Sequence, residues 1–321
     1  MAKKLSFFFS IFQTAWLTGT YWKIIPLILI SSGYTAVASF IILTAYGLSK
    51  RYQSDPLIFI PYFKRRLEYL FIPWLVISLW IELLMAHPPT LENWFLIFST
   101  LKIWIPHHQY LLLGPWWFLA MIFQVYLIFP ALLSAYKKWG HLFLLALCLI
   151  QYLSQVLINP FTESFGLNLN ITPIAALIPI SVGLFWASQK SIQRKNKIHP
   201  YGVLTGGVLV FLFFMAQTSF YTWPFANTLL GIVLLGLGYL CLPSKISPWL
   251  KHLTTLIVPV YLTHGYIYPF FRQYLDQPNS HFWIYGVCLI SVLAITYMCA
   301  VLIREITRII SQEIPGLFKI T

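Results

Sequence analysis

The chain has 321 residues, 59% of them hydrophobic and only 9% charged, which places it outside the composition of ordinary soluble domains. A formal net charge of +13 would suit a nucleic-acid binder, but the basic residues fall in short clusters between apolar runs and line no soluble face, so nucleic acid is excluded as a partner. Cys148, Cys241, Cys288 and Cys299 all lie inside apolar runs and read as small hydrophobes, with neither the arrangement of a disulfide framework nor zinc-type spacing.

Lys3 and Lys4 precede the run LSFFFSIFQTAWL. A basic start and a short apolar centre also fit a signal peptide, but no small-x-small cleavage site is evident, and Gln13, Thr14 and Trp16 interrupt the run. We read a short first membrane helix ending near Gly19. The second run, Ile24 to Leu48, carries Ser32, Thr35 and Ser39 on a shared side, and small residues there let helices approach closely, a packing seam. A basic loop follows, with Lys50 and Arg51, then Lys64, Arg65 and Arg66. The third helix is expected from about Tyr69 to Ala86, with Pro73 in its first turn, where proline is tolerated. Glu82, near its far end, is the one carboxylate well inside an expected span.

The segment from His87 to Leu113 reads as lying outside the hydrocarbon. Within it, Leu91 to Ile105 has Trp94, Phe95, Phe98, Leu101 and Trp104 at helical spacing, with Glu92 and Lys102 off that face, which suits one helix lying in the interface. Pro106, His107 and His108 end it.

The next stretch, GPWWFLAMIFQVYLIFP from Gly114 to Pro130, organises the chain. A Gly-Pro break precedes the aromatic belt Trp116, Trp117 and Phe118, an apolar run long enough to cross the hydrocarbon follows, and Lys137 and Lys138 close it. Gln124 and Tyr126 inside that run must face protein or water.

Further helices are expected at about His141 to Ile158, Ile171 to Ser188, Tyr201 to Gln217, Phe225 to Leu242, Leu253 to Tyr274 and Phe282 to Ile303. An amphipathic tail from Arg304 should lie on the membrane surface. About ten crossings put both termini on one side. Of the 21 Lys and Arg residues only Lys23, Lys102 and Arg272 then fall opposite, so the termini are read as cytoplasmic. The expectation is an all-α polytopic protein, residues 1–321 forming a single transmembrane domain in the cytoplasmic membrane, with lipid as its surroundings. The sequon Asn170-Ile171-Thr172 is expected on the outer side and carries little weight.

His264 is the strongest chemical candidate from the residues alone, because a histidine at membrane depth usually faces the bundle interior. It serves either as a functional imidazole or as a structural one. Arg65 and Arg66 offer guanidinium forks suited to phosphate, while plain topology also explains them.

Four stretches in order resemble the membrane acyltransferase type 3 family, integral-membrane enzymes that modify surface glycans and lipids. These are SGYTAVASFIILTAYGLSKRY, with Tyr46-Gly47 at the family's Ser-Gly pair; YFKRRLEYLFIPW, like its basic run before a Pro-aromatic start; GPWWFLAMIFQVYLIFP, like its Trp-Phe-Leu start with a later Tyr-Leu and Pro; and LIVPVYLTHGYI, like its Tyr-Leu-x-His motif. The resemblance implies transfer of an acetyl or other short acyl group from cytoplasmic acyl-CoA to a hydroxyl of an exported polysaccharide or lipid, with no metal. Tyr261 and His264 match the Tyr-Leu-x-His motif, Arg65 and Arg66 the run that meets the donor's phosphates, and Trp117 the Trp-Phe-Leu start. Glycosyltransferases or export machinery are implied as partners.

The first helix departs from the family, which carries an Arg, then ten residues, then a catalytic His. Lys3 and Thr14 stand at those positions, and a threonine hydroxyl is no general base near neutral pH. His264, or His87, His107 or His108, is the base in the catalytic reading. A degenerate relative serving glycan or lipid export or a membrane assembly is the second reading. A secondary transporter is the third, disfavoured by the few buried charges and the lack of repeated halves.

Overall fold

The computed structural model describes residues 33–53, 57–84, 90–109, 116–189, 225, 228–229, 231–236, 247–264, 267 and 282–313. Among them every regular element is a helix. The helices are α1 Gly33–Arg51, α2 Phe59–Arg66, α3 Ile72–Leu84, α4 Leu91–Phe98, α5 Trp117–Trp139, α6 His141–Leu153, α7 Asn159–Ser164, α8 Leu177–Ser188, α9 Pro248–Thr255 and α10 Phe282–Glu313. The segments Trp117–Trp139, His141–Ser164 and Gly286–Ile310 are long and apolar enough to cross a membrane. Their outward faces are apolar: Leu142 is 76% exposed on α6 and Ile290 69% on α10. Water would penalise such faces and lipid does not, and the protein is integral to the membrane.

Two compact units emerge, one of Met1–Pro56 with Phe129–Pro243 and the other of Leu57–Ile128 with Ser244–Thr321. In the first, α1 and α8 pack along each other through small residues. A Cβ on Gly183 would meet the Ile42 carbonyl at 2.5 Å and the Ala45 Cβ at 2.7 Å, so only glycine fits that crossing. Ser39 lies on the same helix, buried, its Oγ donating to the Gly231 carbonyl at 3.0 Å. The seam read at Ser39 is therefore real, whereas Ser32 lies outside the described residues. Carbonyls at the ends of α1 and α8 are met by side chains: Lys137 Nζ donates to Tyr52 O at 2.8 Å, and Gln53 Nε2 to Ala187 O at 2.7 Å.

That unit also holds a buried carboxamide chain. Gln151 Oε1 accepts the Ile178 N–H at 2.6 Å, capping α8, and its Nε2 donates to Gln155 Oε1 at 3.1 Å. Gln155 Nε2 then donates to Asn170 Oδ1 at 2.9 Å, and Asn159 Oδ1 accepts the Leu169 N–H at 2.6 Å. Neutral amides hold this turn without burying charge. They also absorb the sequon, since Asn170 is engaged and Thr172 is fully buried with its Oγ1 donating to Leu169 O.

Several helix bounds differ from expectation, and proline explains two of them. The third helix begins at Phe59, well before Tyr69, and a π turn, Leu67–Phe71, joins α2 to α3. Pro73 has no N–H to give the Tyr69 carbonyl and its ring would collide there, so the backbone widens by one residue just before it. The same device recurs at Ser154–Ile158, two residues before Pro160, and carries the fifth helix on to Ser164. The last described helix is unbroken from Phe282 to Glu313, because no Gly or Pro interrupts it past Ile303, so the start of the tail, residues 304–313, continues that helix, and its remainder lies outside the described residues.

The interfacial segment is a helix only to Phe98. Thr90 caps it, accepting the Asn93 N–H. Thr100 then takes φ +63°, and the chain turns into a 3-10 segment, Leu101–Trp104. Once the register breaks, Lys102 turns inward and is fully buried. Gln124 holds this turn, donating to the Thr100 carbonyl at 2.7 Å and accepting from Trp104 Nε1 at 2.7 Å. Burial alone lowers the Lys102 ammonium from 10.5 to about 7.

Candidate functional site

The second unit gathers most of the matched motif residues. Pro130 lies inside α5 and cannot donate to the Tyr126 carbonyl four residues back. Tyr62, on α2 and 2% exposed, fills the gap, its hydroxyl donating to Tyr126 O at 3.0 Å. That bond fixes two rings against the next basic side chain. The Arg66 guanidinium lies 5.1 Å from the Tyr126 ring centre and 5.7 Å from that of Tyr62, a cation–π arrangement that keeps a positive charge among apolar helices. Among the described residues, Arg66 Nε is buried with no hydrogen-bond partner. Arg65 faces outward and is exposed, so the pair splits and only Arg66 joins the cluster.

Toward the start of α5, Trp117 and Phe118 are buried. Phe118 meets the Tyr261 ring edge-on, with centres 5.1 Å apart, and Tyr261 in turn packs against His264 at 5.3 Å. Residues 257–264 are helical, and His264 Nδ1 lies 2.6 Å from the Tyr261 carbonyl. A carbonyl can only accept, so Nδ1 carries the proton and donates it. In the neutral ring this tautomer leaves the lone pair on Nε2, the nitrogen able to take a proton. His264 is half-buried, and its ring orientation is set by its own helix.

Phe118 and Tyr126 are eight residues apart on one helix, about 12 Å along its axis at 1.5 Å per residue. The cationic cluster and Tyr261, the ring that packs on the imidazole, thus touch the same helix a little over two turns apart. Tyr62 was not legible as a site residue. The signal for it was the spacing of Tyr126 to Pro130, which leaves one carbonyl to be satisfied from another helix.

Thr14, Lys3 and His87 lie outside the described residues, and Glu82 is on α3 with its side chain likewise outside them. His107 is exposed at φ +63°, and His108 is tied to the Pro106 carbonyl at 2.9 Å.

Fold and site together define a helical membrane protein with an oriented imidazole and a ring-held guanidinium beside one spanning helix. Residues 5–301 match the acyltransferase domain of the acyltransferase 3 family, and the chain belongs to that family of membrane acyltransferases. Comparison with curated proteins and with solved structures gave no match.

Proposed function

We propose that the protein transfers an acetyl or other short acyl group from acyl-CoA to a hydroxyl of an exported glycan or lipid. The observation that carries this reading is the Nδ1 bond of His264 to Tyr261 O, which presents Nε2 as a proton acceptor. In this reading Arg66 meets the donor's phosphates, with Arg65 nearer solvent, and Trp117, Phe118 and Tyr261 form an apolar wall that keeps water from the thioester. His264 Nε2 takes the acceptor hydroxyl's proton as the ester C–O bond forms. The C–S bond breaks, and the same nitrogen returns the proton to the departing thiolate, so the balance closes with one ester and one thiol. In this reading the chain is a single transmembrane domain with about ten crossings, cytoplasmic termini and a place in the cytoplasmic membrane. Glycosyltransferases or export machinery supply the acceptor.

A second reading, a degenerate relative that binds a glycan or lipid without turning it over, is favoured by Lys3 and Thr14 at the family's first-helix positions. Purified protein incubated with radiolabelled acetyl-CoA and membranes from a deletion strain separates the two. The proposal expects label in a glycan or lipid fraction, lost with His264→Ala. No label from the wild-type protein, with intact envelope acylation in the deletion strain, contradicts it.

A further inference from the structure

Outside the site just described, one titratable group joins two helices of the second unit. His252, on α9, receives a hydrogen bond from Arg304 Nη1 of α10 at Nδ1, 3.1 Å away, while its Nε2 lies 3.3 Å from the Tyr297 hydroxyl. A guanidinium has no acceptor, so this geometry requires a lone pair on Nδ1, puts the ring proton on Nε2 and makes the bridging imidazole neutral. Among the described residues, Tyr297 and Arg304 of α10 meet the ring, and Glu305 and Arg308 follow Arg304 on that helix. Glu305 is held by Arg308 at 2.8 Å and reaches Arg304 only at 3.9 Å. On its own helix the titratable neighbour in sequence is Lys251.

We propose that this contact is a pH-sensitive latch between α9 and α10. A proton arriving at Nδ1 lands where Arg304 already donates. The bond is lost, and two cations face each other at hydrogen-bond distance, a repulsion Glu305 offsets weakly because Arg308 occupies it. A proton and the Arg304 bond exclude each other at Nδ1, so the latch is closed while the imidazole is neutral and opens when acid protonates it. Its position gives it a consequence. Only Leu256 separates α9 from the helical residues 257–264, and Val260 N donates to Leu256 O at 2.8 Å across the joint. Release of α9 therefore reaches the backbone that carries Tyr261 and His264. The latch does not depend on the acyl-transfer reading, because backbone protection reports it directly.

The test is hydrogen–deuterium exchange of residues 248–264 in the full-length protein in nanodiscs at pH 5.5 and 8, corrected for intrinsic exchange rates. The latch predicts a roughly tenfold loss of protection at the lower pH, the scale of one lost charge-assisted hydrogen bond. His252→Gln, which accepts from Arg304 and donates to Tyr297 without ionising, should hold its protection at both pH values. Arg304→Gln, which still donates to Nδ1 but carries no charge, should respond less than the wild type. Equal wild-type protection at the two pH values, or an undiminished pH response in either variant, overturns the proposal.

Discussion

At the residue scale, the cluster around Arg66 shows how one missing backbone donor shapes a site. Pro130 frees a carbonyl, Tyr62 takes it, and the two tyrosine rings then hold a guanidinium. Tyr62→Phe keeps the ring and removes the hydroxyl that bonds the Tyr126 carbonyl, so it should cost roughly 0.5–1.5 kcal/mol in unfolding measurements. A denaturation midpoint equal to that of the wild type would show that the bond is dispensable. Lys102 gives a second prediction. Its folded pKa of about 7 lies below the usual 10.5, so the unfolded chain binds more protons between those values and stability rises as pH climbs through that range. Thermal midpoints in detergent should increase from pH 7 to 10, and Lys102→Met should flatten that slope. An unaltered slope in the variant would assign the effect to other groups. The motif pattern pointed to His264 and Arg66, and both join packed clusters. It could not show that Arg65 faces away or that Lys102 is buried, because those depend on where a helix starts and stops.

At the scale of elements, the longest apolar helices were legible and their ends were not. α5 and α6 begin where aromatic, Gly and Pro residues mark them, since those signals are local. The π turns before Pro73 and Pro160 were missed: Pro73 reads as a helix start when nothing shows that the preceding basic segment is helical too, and Asn159-Pro160 reads as a helix end. Likewise Gln151, Gln155 and Asn159 gave no signal as a network, their partners being distant in sequence or in a turn. The α1–α8 crossing provides the sharpest element-level test. Gly183→Leu drives a side chain into the Ile42 carbonyl and the Ala45 methyl, so it should destabilise the protein by roughly 1–3 kcal/mol or more. The same change at Gly47, where an added Cβ meets nothing within 4 Å, should be much milder. Similar losses at the two positions would contradict close packing as the reason for glycine at 183.

At the scale of the whole molecule, the family and the helical membrane architecture were both readable, because composition and ordered motifs run through nearly the full chain. Arg66, against Tyr126 of α5, and His264, which reaches α5 through Tyr261, then divide the proposed labour: Arg66 holds the donor and His264 moves the proton. That division is tested most directly by steady-state kinetics of acetyl transfer with acetyl-CoA varied, comparing wild type, Arg66→Gln and His264→Gln. The account predicts that Arg66→Gln raises KM for acetyl-CoA with kcat little changed, and that His264→Gln lowers kcat by about 10²–10⁴-fold with KM little changed. If His264→Gln retains wild-type kcat, or if Arg66→Gln leaves KM where it was, the account is contradicted.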